Sequence, residues 1–436
     1  MATNLTPAMD RRQFLRAAGF LSIGFAIPLE GAVAQNAPAA AAKPTLPGDL
    51  NTARMLDSWI RINADKTVTL LIGKVELGQG IVTAAAQVCA DELDIDLARL
   101  KIISGDTALV PNEGTTAGSQ SMSGCTVAVR QAAAEARAIL VDLAAKKLGV
   151  AAGALTVEDG TVKGPNGVQT TYWDVVTGKE LNVEASGAVK SKPYGQYRYS
   201  GKNVPRLDIP AKFTGQAIFV QEHRPQGMVH GAIVRPPTYK AKLTGVDFAA
   251  AEKMPGVIKV VRNGSFLGVV AQREEQARNA AAALTRTAQW DVEKALPGHD
   301  GIYDWLQKAK ATDIKIKDDV RQGGATPAKT IEATYYRPYQ MHASIGTSAA
   351  VATMGSDGVM LIQTHSQSVF ETSAAIAQML GMDRAKVRCQ HMQGSGCYGH
   401  NMADDAAADA ALLAAAVPGR PIRLQYTREQ EHKWEP

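Results

Sequence analysis

The sequence predicts an α+β protein of more than one domain. Two observations carry this. Short runs rich in Val, Ile, Leu and Thr, bounded by Gly, Asn and Asp, alternate with longer stretches of helical period. The length of 436 residues exceeds one ordinary domain, and 45% hydrophobic with 20% charged residues is usual for a globular chain with an ample core.

In chain order, residues 10–16 (DRRQFLR) form a twin-arginine pattern, followed by a weakly apolar stretch at 17–27 and Ala32-Val33-Ala34, an A-x-A cleavage site. Arginines, apolar core and small-residue site stand in the order an export signal requires. Residues 1–34 are therefore expected to be a twin-arginine signal directing a folded, cofactor-loaded protein to the periplasm. The apolar stretch is too short and weak to span a bilayer. The Ala/Pro-rich residues 35–49 are expected to be a linker.

Residues 59–62 and 67–72 predict a hairpin around Asn63-Ala64-Asp65-Lys66. Gly78-Gln79-Gly80 ends that sheet and opens a helix at 81–93. Residues 100–104 predict a strand, and the Gly/Ser/Thr-rich 105–124 feeds a long Ala-rich helix at 126–148. A second hairpin is expected at 155–157 and 161–163 around Asp159-Gly160. Residues 164–205 form an irregular connector. Strands are expected at 217–220, 228–235, 257–262 and 266–271, then a helix at 274–287 and a polar surface crossing at 292–326. Strands resume at 329–336, 349–352 and 359–364. Residues 362–402 then predict strand, polar turn, helix, strand and a glycine-rich elbow, Gly394-Ser395-Gly396-Cys397-Tyr398-Gly399. A helix at 403–416 and a strand at 422–426 follow, and no terminal helix is expected after them, which gives the chain the look of a C-terminal truncation.

Composition excludes some functions. A net charge of +5 is spread without a basic run interleaved with aromatics, so no nucleic acid is expected as partner. The four cysteines, Cys89, Cys125, Cys389 and Cys397, form no CxxC pair, so an electron-transfer cluster would sit on a partner chain. No Ser-His-Asp arrangement follows from spacing.

Glycine-rich turns entering helices present backbone N–H groups and the positive end of a helix dipole, and glycine lets a ligand approach the backbone. The turn at Gly78-Gln79-Gly80, the segment 115–121 with its hydroxyls, and the elbow at 394–399 all fit that description. Together they are expected to hold one large anionic cofactor. Singly, each is equally a plain strand–helix turn. Gln367 reads as part of a helix N-cap region, Cys397 as a small buried residue, and His342, His365 and His400 as interior histidines.

VELGQG at 75–80, the 115–121 segment, and THSQS…MLG…GSGCYGHN over 364–401 resemble the molybdopterin-binding subunits of the xanthine dehydrogenase/aldehyde oxidase superfamily. Residues 212–291, with Met254-Pro255-Gly256-Val257, resemble its α/β hammerhead domain. Placing the GQG segment first, behind an export signal, resembles the permuted isoquinoline 1-oxidoreductase and nicotinate dehydrogenase group. The resemblance implies molybdopterin-binding segments at 50–175 and 293–436, the latter incomplete, flanking a hammerhead-like domain with its connector at 176–292.

It also implies residue roles. Gln367 falls where the family hydrogen-bonds an oxygen ligand of molybdenum, and Tyr398 where an aromatic ring shapes the substrate pocket; these are the catalytic candidates. Gly396 and Cys397 offer backbone near the metal. Gly78, Gln79, Gly80, Gly118, Ser119 and Ser121 fall on segments that hold the pterin and its phosphates. No side chain is expected to ligate the metal, which the pterin dithiolene binds.

The implied cofactor is molybdopterin cytosine dinucleotide with molybdenum. The implied partners are a small [2Fe–2S] subunit and a c-type cytochrome as electron acceptor. The implied reaction is oxidation of an electron-poor carbon of an N-heteroaromatic, with water as oxygen source. Gly346 stands where many relatives carry a glutamate, and Asn401-Met402 where the purine enzymes carry one, which disfavours a purine. No Gly-x-Gly-Glu turn supplies the family's general base, so this chain alone is expected to be inactive. The alternatives are an aldehyde-oxidising molybdoenzyme and a non-catalytic, truncated cofactor-binding protein.

Overall fold

A computed structural model describes residues 43–216, 218–293, 297–317, 328–401 and 405–434. The twin-arginine segment and most of the linker lie outside the described residues.

The first unit grows from strands β1 (Ile60–Ile62) and β2 (Val68–Ile72), paired antiparallel around the expected turn. Helix α1 (Ile81–Leu93) crosses over to β3 (Leu100–Ser104), which pairs parallel with β2, a βαβ unit. Helix α2 (Val127–Leu148) follows a single π-turn at Ser121–Thr126 and ends where Gly149 turns left-handed. Alanines at 128, 132 and 136 share one side of α2 and let it lie close to α1 over a core of Trp59, Leu70, Ile72, Leu93 and Leu140. Each large aliphatic side chain buried there contributes roughly 1.5–3 kcal/mol. The hairpin of β4 (Thr156–Glu158) and β5 (Thr161–Lys163) gains an unexpected third strand, β6 (Gln169–Thr171).

The second unit is a mixed sheet of seven strands among the described residues. It uses β7 (Val229–Ile233), β9 (Val257–Asn263) and β10 (Phe266–Ala271) from one part of the chain. The other part supplies β12 (Ala349–Met354), β13 (Met360–Thr364), β14 (Val387–His391) and β15 (Ile422–Gln425), in the order β14-β13-β12-β15-β7-β10-β9. β8 (Lys242–Gly245) and β11 (Gln289–Asp291) form a separate pair.

Helix α3 (Glu274–Thr287) packs on β7, β9 and β10 through Ala277, Ala280 and Leu284. Helix α4 (Val369–Leu380) packs on β14, and the Ala-rich α5 (Asp405–Ala416) crosses the sheet centre. A Cβ on Gly231 would come within 2.5 Å of Leu413 Cδ1, so glycine there is what admits the helix so closely.

Several expectations are corrected. The segment 329–336 forms no strand: its β-formers face outward, with Tyr335 90% exposed and nothing for the backbone to pair with among the described residues. The strand expected at 217–220 is a single bridge, Phe219 to Gln393, followed by a 3-10 turn, Val220–Glu222. The surface crossing contains a helix, Ile302–Lys308. A terminal helix does follow β15: α6 (Arg428–Trp434) buries Glu431 and Trp434. Four of its seven residues are charged and it carries no apolar period, which is why the sequence conceals it.

The two units meet along the edge of β14. Thr107 N donates to Cys389 O at 3.0 Å and His391 N to Gly105 O at 2.8 Å. Arg388 Nε donates to Asp106 Oδ1 at 2.9 Å. This edge brings the loops of the first unit onto those of the second.

Candidate cofactor-binding seam

The polar turn after β13 is buried throughout. Thr364, His365, Ser366, Gln367 and Ser368 all lie inside, where each polar group needs a partner. Ser366 and Thr372 share a hydroxyl hydrogen bond at 2.9 Å, and Ser368 N donates to Ser366 Oγ at 3.1 Å.

Gln367, 5% exposed, ties three segments together. Its Nε2 donates to Thr116 O at 2.9 Å, and Thr116 N donates to its backbone O at 2.9 Å. Its Oε1 accepts from Asn401 N at 2.8 Å and from the Cys397 thiol at 3.5 Å. Beside it, Thr115 Oγ1 and Ser368 Oγ share a 2.5 Å hydrogen bond. The 115–116 segment, the 364–368 turn and the elbow therefore meet at one amide.

His391 joins the fourth piece. Its Nδ1 faces Ser366 O and its Nε2 faces Glu76 O, each at 3.1 Å. Burial pushes this ring below its usual pKa, towards the neutral form, which can donate to only one of the two carbonyls. Neighbouring His365 is held to about 4 by burial and by His391. It accepts from Ala349 N at 3.2 Å and is an interior histidine as expected. His342 is not: it is exposed and stacks on His400, with ring centres 5.2 Å apart.

The three glycine-rich segments differ in what they present. In the 75–80 turn, Glu76 is 2% exposed, and its Oε1 accepts from Gly78 N at 2.9 Å and from Gly80 N at 2.8 Å. Its other oxygen accepts from Val82 N at 3.3 Å. Gln79 is exposed but folds back on its own turn: Nε2 donates to Val75 O at 2.9 Å and Oε1 accepts from Leu77 N at 2.6 Å. Arg206 covers the turn, donating to Gly78 O at 2.6 Å and lying 3.3 Å from Glu76 Oε1. The amides expected to cradle a phosphate are thus committed to the chain's own carboxylate.

Gly118 and Ser119 are exposed and left-handed, just before Ser121 opens the π-turn of α2. In the elbow, Gly396 and Gly399 take φ of 103° and 114°, which only glycine tolerates. Tyr398 is held at φ 53° and stands 61% exposed. Cys397 is buried, and burial raises its thiol above the usual range, so it is a neutral donor rather than a thiolate.

Asn401 Nδ2 is buried beside Gln367 with no hydrogen-bond partner. A buried donor without a partner, next to glycines in strained geometry and an exposed ring, is what a polar cofactor's edge would complete. The seam of 115–116, 364–368 and 394–401 fits such a group; the 75–80 turn braces it through Glu76 O and His391. No cluster of three metal-ligating side chains occurs among the described residues.

Sequence reasoning missed Glu76, Thr116 and His391, and it took Asn401 only as a position where relatives carry a glutamate. Glu76 lay in plain view two and four residues before the amides it caps. His391 and Asn401 flank the elbow, but nothing in their spacing reveals their partners.

Two family models, each described as a molybdopterin cofactor-binding domain, match residues 17–210 and 304–435. The chain belongs to the xanthine dehydrogenase family and carries two of its molybdenum-cofactor-binding domains. Among curated relatives, it is 37% identical over 394 residues to the B chain of nicotinate dehydrogenase from Pseudomonas putida, covering 88% of this chain and 33% of that one. It is 25% identical over 483 residues to the beta chain of isoquinoline 1-oxidoreductase from Brevundimonas diminuta, covering 99% and 61%. This chain thus spans from a third to about three fifths of these relatives' length. Among solved structures, quinoline 2-oxidoreductase from Pseudomonas putida 86 matches with a TM-score of 0.42 at 18% identity, over 53% of this chain and 35% of that one.

Proposed function

We propose that this chain is the amino-terminal portion of a molybdenum hydroxylase large subunit that oxidises an electron-poor carbon of an N-heteroaromatic, with water as oxygen source. The observation that carries the reading is Gln367, whose one amide joins the 115–116 segment to the elbow and leaves Asn401 Nδ2 beside it without a partner. The likeness to proteins named for nicotinate and isoquinoline supports the substrate class.

When bound, the molybdenum cofactor supplies the two-electron redox chemistry. The chain's own residues do the rest. Gln367 fixes the seam through Thr116 and Asn401 and would offer its second amide N–H to the cofactor. Asn401 donates from Nδ2. Ser119 and Ser121 offer hydroxyls to phosphate oxygens at the start of α2, a position favoured for anions. Tyr398 presents a ring on which a flat heteroaromatic can stack.

The nucleotide form is cytosine dinucleotide, electrons leave through a small [2Fe–2S] subunit to a c-type cytochrome, and the twin-arginine segment exports the folded protein to the periplasm. An aldehyde substrate is the second reading, since a 28% identical relative is an aldehyde dehydrogenase.

The test is metal and nucleotide analysis of the chain co-expressed with cofactor-maturation factors and its partner. Molybdenum retained after desalting, with a cytidine nucleotide released on denaturation, is the expected result. Zinc or no metal at all overturns the reading.

A further inference from the structure

Ahead of β12 the chain crosses the surface without helix, strand or turn from residue 329 to 341. Every residue from 328 to 340 is exposed. Over 329–341 the backbone forms no hydrogen bond with any other described residue. Tyr335, Tyr336 and Tyr339 fall within five positions here, and Tyr335 and Tyr339 are 90% and 77% exposed. Pro338 fixes its own φ and pushes Arg337 towards extended backbone.

That combination is what an endoprotease needs. It takes its substrate as an extended strand and seats one side chain in a pocket, which in the chymotrypsin type is a hydrophobic slot. Cleavage of a folded chain is limited by the backbone bonds that must first open, and here there are none to break among the described residues.

The other exposed aromatics lack this freedom. Tyr194 opens a 3-10 turn in which Tyr197 N donates to Tyr194 O at 3.1 Å. Phe213 ends a helical turn, Ile209–Phe213. Tyr239 stacks on Trp434, with ring centres 4.6 Å apart, and donates to Lys433 O at 2.6 Å. Tyr398 sits left-handed in the elbow.

We propose that residues 335–340 are a processing site for a chymotrypsin-type endoprotease, cut after Tyr335 or Tyr339, and that the product is a two-chain protein that stays folded. Water adds across one peptide bond, leaving a carboxylate on the tyrosine and an amine on the residue after it. Nothing is oxidised or reduced.

The product holds together because the seven-stranded sheet is built from both sides of the cut. β15 pairs with β7 in parallel, Ile422 opposite Val229 and Leu424 opposite Gly231. Leu413 and Leu424 share one buried core with Val229 and Ile233. Gln430 Nε2 donates to Ile233 O at 3.0 Å, and Arg235 is paired with Asp409. The four cysteines are unpaired, so only these contacts would join the two chains.

The test is a time course of limited chymotrypsin digestion on the purified full chain, read by intact mass and size-exclusion chromatography. The expected first cut is after Tyr335 or Tyr339, with both fragments eluting together at the volume of the uncut protein and separating only in denaturant. The variant Tyr335→Ser/Tyr336→Ser/Tyr339→Ser should slow that cut by about tenfold or more, with its melting temperature unchanged. A first cut at Tyr194, Phe213, Tyr239, Tyr398 or any other site, no cut at all, fragments that part without denaturant, or an undiminished rate in the triple variant overturns the proposal.

Discussion

Two glycine-rich turns of this protein look alike in sequence and differ in what their backbone faces. In the 75–80 turn, Glu76 accepts from the amides of Gly78, Gly80 and Val82, and Arg206 neutralises it from outside. In the 394–401 elbow, by contrast, Gly396 and Gly399 hold a strained loop open, Tyr398 faces out, and Asn401 keeps a buried donor without a partner. A glycine turn before a helix is therefore an anion site only if the chain has not already placed a carboxylate there. One turn is a brace, and the other is the proposed receptor.

Changes that break the contact between brace and receptor should cost most. A Cβ on Gly105 would lie 2.4 Å from Val75 Cγ1 and 2.7 Å from His391 Cβ, at a left-handed φ of 64°. Gly105→Val is expected to destabilise the chain by about 3–5 kcal/mol in chemical denaturation.

Gln367→Ala strips partners from Thr116 O and Asn401 N, at a cost of about 2–4 kcal/mol. In a complete enzyme it should slow turnover more than it weakens substrate binding, which steady-state kinetics would separate.

The acid beneath the 115–116 segment gives a pH signature. Burial, with a hydrogen bond to Asp49, pushes Glu113 from 4.5 up to about 7. The folded state then binds a proton that the unfolded state has released. Its stabilisation is complete below about pH 4.5 and is lost as pH rises towards 7, at no more than about 1.4 kcal/mol per pH unit. Unfolding measured across that window should show the decline, and Glu113→Gln should flatten it.

Glu76→Gln tests the brace itself. It should cost about 1–2 kcal/mol, and phosphate should then raise the melting temperature more than it does in the unaltered chain. An equal phosphate effect in both proteins would show that Glu76 does not guard those amides. Smallest of all, Tyr398→Ala should change stability by less than about 0.5 kcal/mol, because the ring is exposed. Its expected effect is on substrate affinity in the complete enzyme.

The legible parts of the fold were those with a local period. Helices 81–93 and 274–287 match their expected bounds because apolar residues or alanines recur on one side. β6, β8 and β11 were hidden because they are short and owe their existence to pairing rather than pattern. At 329–336, β-forming residues predict a strand, yet propensity without a neighbouring strand among the described residues builds none. In the seam, the glycines and Gln367 stood out as residue types. The direction of each side chain did not: His391 reaches Glu76 only because β14 docks against residues 105–107.

The convergence of the 115–116 segment on the 364–368 turn can be tested with one cross-link. Thr115 and Ser368 touch through their hydroxyl oxygens at 2.5 Å, close enough for a disulfide between the corresponding thiols. The four native cysteines are buried and unpaired. In the double variant Thr115→Cys/Ser368→Cys, mild oxidation should close the bond quantitatively in the folded protein, seen as a mass loss of two hydrogens and a mapped peptide link. Two thiols that stay free under those conditions would contradict the seam and the cofactor reading built on it.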